Sequence, residues 1–231
     1  MSIAKKFEVI ADEVYEKGKK DEYDKFWDAF QDYGKKTFYQ YAFYAWNDGF
    51  YPKYDIKPKG GLASAFFLNK IKGDMKQRLI DCGVEFNTSL VNNMSSSFQA
   101  CYGLTVAPIL DLSSMEGNSL GNTFFNCINL TEASFVNMQA KTRFSNTFFA
   151  CEKLEKLSID GVIGQAGFDV KDCKKLTKES LLSILKALSL TITTTTTITF
   201  STVHQSIIET DSDCKPYWQA AKDAGWSFVY A

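Results

Sequence analysis

Ser95-Ser-Ser-Phe-Gln-Ala-Cys-Tyr-Gly-Leu104, Gly121-Asn-Thr-Phe-Phe-Asn-Cys-Ile-Asn-Leu130 and Ser145-Asn-Thr-Phe-Phe-Ala-Cys-Glu-Lys-Leu154 align without a gap on Phe-x-x-Cys-x-x-Leu. Seven residues before the cysteine stands Met94, Leu120 or Phe144, three before it Phe98, Phe124 or Phe148, and three after it Leu104, Leu130 or Leu154. Spacings of 4, 3 and 3 place these side chains on one face of a helical turn or two. Six and eight residues after the cysteine come Ala107 and Ile109, Ala133 and Phe135, and Leu157 and Ile159, the period of a strand with one buried face. Each unit therefore reads as a short helix feeding a short strand. Alone it cannot bury its apolar stripe, but stacked copies share a core.

The cysteines Cys101, Cys127 and Cys151 recur after 26 and 24 residues, inside the roughly 20–29 residues of a leucine-rich repeat. Weaker copies flank them. Leu62, Phe66 and Asn69 hold the same offsets on the N-terminal side, with Val84 and Phe86 as the strand, and Val170, Cys173 and Leu176 on the C-terminal side. The expectation is an α/β chain built as a leucine-rich-repeat solenoid of about five short helix–strand coils over 59–176. A helical, aromatic-rich N-terminal cap over 1–58 and an α/β C-terminal cap over 177–231 complete it.

The Phe-x-x-Cys-x-x-Leu spine with its following strand resembles the BspA-like leucine-rich repeats of bacterial surface proteins and prophages. Three segments match well and two in part, covering about half the chain. Members of that family are generally adhesive or of unknown role, and the resemblance supplies no catalytic motif. The N-terminal stretch also resembles the leader of such repeat proteins in prophages of gut bacteria.

Composition sets bounds. The 231 residues are 45% hydrophobic and 23% charged, with 26 basic against 27 acidic residues and a net charge of −1. Electrostatic capture of nucleic acid or of an anionic membrane is therefore not expected. No segment approaches the 18 or so apolar residues of a membrane span. Lys5 and Lys6 are followed by Glu8, Asp12 and Glu13 rather than by an apolar core, so the start does not read as a Sec signal peptide. The expected place is a virion or extracellular surface reached by another route, such as host lysis, after synthesis in the cytoplasm.

Six cysteines raise a disulfide or metal reading. Those in frame sit where an apolar residue is required, and a free cysteine behaves as a small buried hydrophobe. Zinc needs close-set pairs, and the sequence has none, with one histidine. No metal or cofactor is expected.

Ile3, Phe7, Ile10 and Val14 recur at 4, 3, 4 on a first helix over 2–18. The stripe either packs on the protein's own next helix or docks on a larger assembly. Between positions 23 and 54 fall fourteen aromatic residues, which read as a plug for the open end of the core or as a carbohydrate-stacking platform. Ile71, Met75, Leu79 and Cys82 mark an inserted helix. Thr177 caps a helix through Leu188, with Leu181, Leu182, Leu185 and Leu188 buried. Part of Thr191–Phe200 is a strand, Lys215–Ala224 the last helix, and Trp226, Phe228 and Tyr230 a closing strand.

His204 is the only partner for a cysteine nucleophile, and the common hydrolase and nucleotide motifs are missing. Asp211-Ser-Asp213 opens like a calcium loop without its glycine and closing glutamate. The expectation is a binding or adhesion module with no catalytic residues. Its recognition face is Glu132, Ser134, Lys156, Ser158 and Asp160, polar strand residues facing away from the core. Its partners are a host protein or glycan, virion or tail proteins at the N-terminal helix, or further copies of itself. The alternative is a structural virion component docked through Ile3, Phe7, Ile10 and Val14. A polymer hydrolase is the third reading.

Overall fold

A computed structural model describes residues 60–61, 72–81, 86–115, 117, 120–164, 168–193 and 196–231. The N-terminal segment 1–58, with its docking stripe and aromatic run, lies outside the described residues.

Among the described residues nine strands and four α-helices follow one another. β1 (Gly60–Gly61), β2 (Lys72–Asp74), α1 (Met75–Asp81), β3 (Val91–Asn93), β4 (Gly103–Asp111), β5 (Glu132–Met138) and β6 (Lys156–Gly161) come first. β7 (Phe168–Val170), α2 (Lys178–Ala187), β8 (Thr196–Phe200), α3 (Gln205–Thr210), α4 (Lys215–Asp223) and β9 (Trp226–Tyr230) follow. They pair as three parallel sheets, β1-β3, β2-β4-β5-β6 and β7-β8-β9.

This α/β arrangement replaces the expected five-coil leucine-rich-repeat solenoid. Two findings overturn that expectation. The first is the missing helix in each unit. Residues 95–100, 120–126 and 145–150 are runs of turns. In the middle unit Thr123, Phe125 and Cys127 donate their N–H to the carbonyl three residues back, at 3.1, 3.1 and 3.0 Å. The alternate residues Asn122, Phe124 and Asn126 instead donate to Ser145, Thr147 and Phe149 of the next unit, at 2.8, 3.0 and 2.8 Å. Pointing every second N–H outward needs left-handed backbone, found at Asn122 (φ 56°) and Asn126 (φ 61°). The 4, 3, 3 spacing still puts Leu120, Phe124, Cys127 and Leu130 inward, all 0% exposed, so the spacing could not tell this turn ribbon from a helix.

The second finding is that the sheet stops at β6. After Leu176, the Thr177 N–H bonds Glu155 O at 2.9 Å, continuing the bonds that Thr131 and Glu155 make to the preceding unit. Thr177 then caps α2, its hydroxyl taking the Ser180 N–H at 3.3 Å. The helix occupies the place of a next strand and satisfies the β6 edge with side chains. Leu157 and Ile159 donate N–H to Ser180 Oγ and Ser183 Oγ, both at 2.9 Å. Ser180 Oγ returns a bond to Glu155 O at 2.9 Å. A bare edge invites another chain, and here two serines on one helix face close it.

A buried ladder of rings runs through the stacked units. Phe98 and Phe124 stack at 5.3 Å and 13°, and Phe124 and Phe148 at 5.8 Å and 10°. Each such contact contributes about 0.5–1.5 kcal/mol beyond area burial. Cys101, Cys127, Cys151 and Cys173 are free and buried. Cys127 Sγ donates to Phe98 O at 3.0 Å and Cys151 Sγ to Phe124 O at 3.1 Å. Those carbonyls already accept Cys101 N–H and Cys127 N–H, so the thiol uses the second lone pair. Cysteine here is a hydrophobe with a donor that links neighbouring units.

One inward position also shifts. Between the pairs Val106–Glu132 and Ile109–Ser134, β4 has two residues where β5 has one, a bulge around Pro108, which lacks the N–H a regular ladder needs. Ile109, expected inside, is therefore 45% exposed, and Leu110 is buried in its place. At the far end of β6, Gly161 has φ +122° and lies against the Met138 backbone, where a Cβ would collide.

The C-terminal elements follow the expected pattern more closely. Leu181, Leu185 and Leu188 of the α2 segment are buried, with Ile184 inside and Leu182 only partly covered. α3 is an addition, because six residues carry too few periods to read. β7 and β8 pair across the 176/177 division, and one hydrophobic cluster runs from Met75 to Trp226.

Candidate functional site

A cleft of about 480 Å³ opens where the outer face of β5 and β6 meets α2. Its walls are Glu132, Ser134, Lys156, Ser158, Thr177, Glu179, Ser180 and Ser183, over a floor containing Ala133 and Leu157. Strand alternation explains the set. Ala133 and Leu157 face the core at 1% exposure, so their neighbours in sequence face outward. Register then pairs Glu132 with Lys156 and Ser134 with Ser158 across the two strands. Four of the five residues of the expected recognition face thus meet in one cleft. Asp160 lies farther along the exposed side of β6 and does not line it.

Charge in the cleft is arranged by a residue far away in sequence. Lys76 on α1 reaches Glu132, Nζ to Oε1 at 2.7 Å, while Lys156 Nζ stands 3.9 Å from Oε2 and is 70% exposed. The other carboxylate, Glu179 in the first turn of α2, is held below the usual range by backbone N–H bonding and then by the Thr177 hydroxyl. No single-sequence signal joins Lys76 to Glu132, 56 residues on. The helix contribution did carry one, since Thr177, Ser180 and Ser183 recur at intervals of three on one face.

Other charged groups among the described residues are paired within the fold. Lys178 Nζ bonds Asp211 at 3.0 Å and Asp213 at 2.7 Å. Those two bonds raise its pKa, and the Lys178 bond, followed by the Asp213 N–H, holds Asp211 below its ordinary value. The Asp211 Oδ1 atom also accepts the Asp213 N–H at 2.9 Å, so the calcium-like stretch serves as a turn and an ion pair. His204 is 2% exposed at the entry to α3, and burial holds its pKa below 6.5. Burial pushes the Cys127, Cys151 and Cys173 thiols well up, the opposite of a nucleophile's environment.

Among the described residues no three His, Cys, Asp or Glu side chains converge to hold a metal ion. Nor is any helix there long and apolar enough to cross a membrane. The candidate docking helix, with Ile3, Phe7, Ile10 and Val14, lies outside the described residues. No protein-family model, curated protein or solved structure matches the chain.

Proposed function

We propose that the chain is a non-enzymatic binding or adhesion module that contacts a protein or glycan of a host envelope through the β5–β6–α2 cleft. The observation that carries this reading is the convergence of Glu132, Ser134, Lys156 and Ser158 with Thr177, Glu179 and Ser183 around one cleft of about 480 Å³. That volume falls in the range of about 300–1,000 Å³ used for small ligands or for one branch of a larger one. The setting, a phage tail, another virion surface or a bacterial surface, rests on the resemblance of the Phe-x-x-Cys-x-x-Leu segments to BspA-like repeats.

Sedimentation with bacterial envelope fractions tests it. The double variant Glu132→Ala, Lys156→Ala should lose about tenfold or more in affinity, since hydrogen bonds to charged groups are worth about 1.5–3 kcal/mol each. Undiminished binding by a variant that still melts cooperatively would reject this face.

A further inference from the structure

We infer that the cleft takes a neutral, hydroxyl-rich saccharide held by side chains alone, with the Glu132 carboxylate as its principal acceptor. This rests on the reading of the cleft as the recognition site and names its ligand class.

The first ground is what the cleft withholds. An extended peptide gains affinity by adding to a sheet edge. The floor strands β5 and β6 are already paired with each other, and the outer edge of β6 is bonded to Ser180 and Ser183. A protein hot spot usually needs an aromatic or Arg anchor seated in a dry pocket. Among the described residues the only apolar side chains lining the cleft, Ala133 and Leu157, are 1% exposed and belong to the core. A peptide or protein would find neither backbone nor anchor.

The second ground is what it offers. Among the described residues the Ser134 and Ser158 hydroxyls are not spent on other side-chain hydrogen bonds, and they sit side by side across β5 and β6. Beside them are the Glu132 carboxylate and the Lys156 ammonium. A sugar hydroxyl both donates and accepts, so it can give to Glu132 and take from Lys156 or a serine. Lys76 fixes one oxygen of Glu132 at 2.7 Å and leaves the Oε2 side turned toward Lys156, the geometry for two adjacent hydroxyls.

Charge decides the kind of saccharide. Glu132 and Glu179 stand against Lys156 in the lining, with Lys76 behind, so two negative charges meet two positive ones. An acidic sugar gains no net field, and its carboxylate would approach two others. Among the described residues the lining holds no aromatic ring, so single-site affinity should be on the order of millimolar and useful attachment would need several copies presented together.

The test is a multivalent array of neutral, sialylated and uronic glycans probed with the full chain, followed by NMR titration of the best neutral hit. Binding should favour neutral glycans. It should weaken about tenfold or more in Glu132→Gln and about two- to tenfold in Ser158→Ala, and hold in Tyr102→Ala, outside the cleft. Lys76→Met should weaken it and Lys76→Arg restore it, a rescue that a purely structural role would not give at equal melting temperature. No neutral glycan bound, or neutral binding indifferent to Glu132→Gln, overturns the inference. Acidic glycans or envelope protein bound through Lys156 would overturn it too, while leaving the cleft as the recognition site. Envelope binding untouched by every cleft variant would overturn the recognition reading as well.

Discussion

Residues 94–161 and residues 168–231 both build parallel sheet, but by different means. In the first region one unit fits on the next because each repeats the other's donors and acceptors. Turn N–H groups alternate between the same unit and its neighbour, Thr123 and Thr147 hydroxyls reach carbonyls in two units, and thiols reach the preceding unit. All seven non-glycine left-handed residues found among the described residues lie here, between Ser96 and Ala150. In the second region the chain makes right-handed helices that cover β7-β8-β9 and the β6 edge. The stack accepts local backbone strain in exchange for contacts between copies. The C-terminal part spends no strain and ends the stack by putting a helix where a strand would go.

Phe124→Ala tests whether the two regions share one core. Phe124 is fully buried between Phe98 and Phe148, and its loss should cost about 3–5 kcal/mol. Because one hydrophobic cluster joins the regions, urea denaturation should shift as one transition in the labelling of Cys127 and of the C-terminal Cys214, read separately by peptide mass. A C-terminal signal left at its original midpoint would divide the molecule in two.

Ser180→Ala probes the joint itself. It strips the partner from the Leu157 N–H and one of two donors from the Glu155 carbonyl, which keeps the Thr177 N–H. An unsatisfied buried group costs about 1–3 kcal/mol. Hydrogen exchange at Leu157 should quicken well beyond that at Ala133, one strand in. Equal rates at the two amides would mean the helix does not seal the edge.

These contacts also show what a sequence can and cannot disclose. Inward positions of the stack were legible at Phe124, Cys127 and Leu130 because side-chain spacing follows burial directly. Backbone form was not, since a turn ribbon and a helix turn the same residues inward. Alternation put Ile109 inside, and only the register of β4 against β5 around Pro108 shows that Ile109 moves out and Leu110 in. The cleft was half legible. Alternation along β5 and β6 gave Glu132, Ser134, Lys156 and Ser158, whereas Lys76 and Glu179 arrive by long-range packing, for which a single chain keeps no local trace. The end of the sheet was hidden for a related reason: Thr177 reads as a helix cap, but not as a cap standing beside β6.

The smallest effect is the sharpest for the comparison, because it should change sign between the regions. Ala150 has φ 58°, where its Cβ crowds the backbone. The same slot of the preceding unit holds Asn126, and asparagine tolerates this conformation better than other residues with a Cβ. Ala150→Asn keeps the N–H that donates to Asp172 Oδ2 at 2.9 Å, and its amide can reach solvent. It should stabilise the fold by about 0.5 kcal/mol. Ala220 lies in the right-handed interior of α4, where Ala→Asn should destabilise by about 0.7 kcal/mol through helix propensity. Matched denaturation midpoints for Ala150→Asn and Ala220→Asn therefore separate in opposite directions from the parent. A loss of stability in both would show that the left-handed turn residues of the stack carry no strain worth relieving, and the contrast between the regions would reduce to side-chain packing.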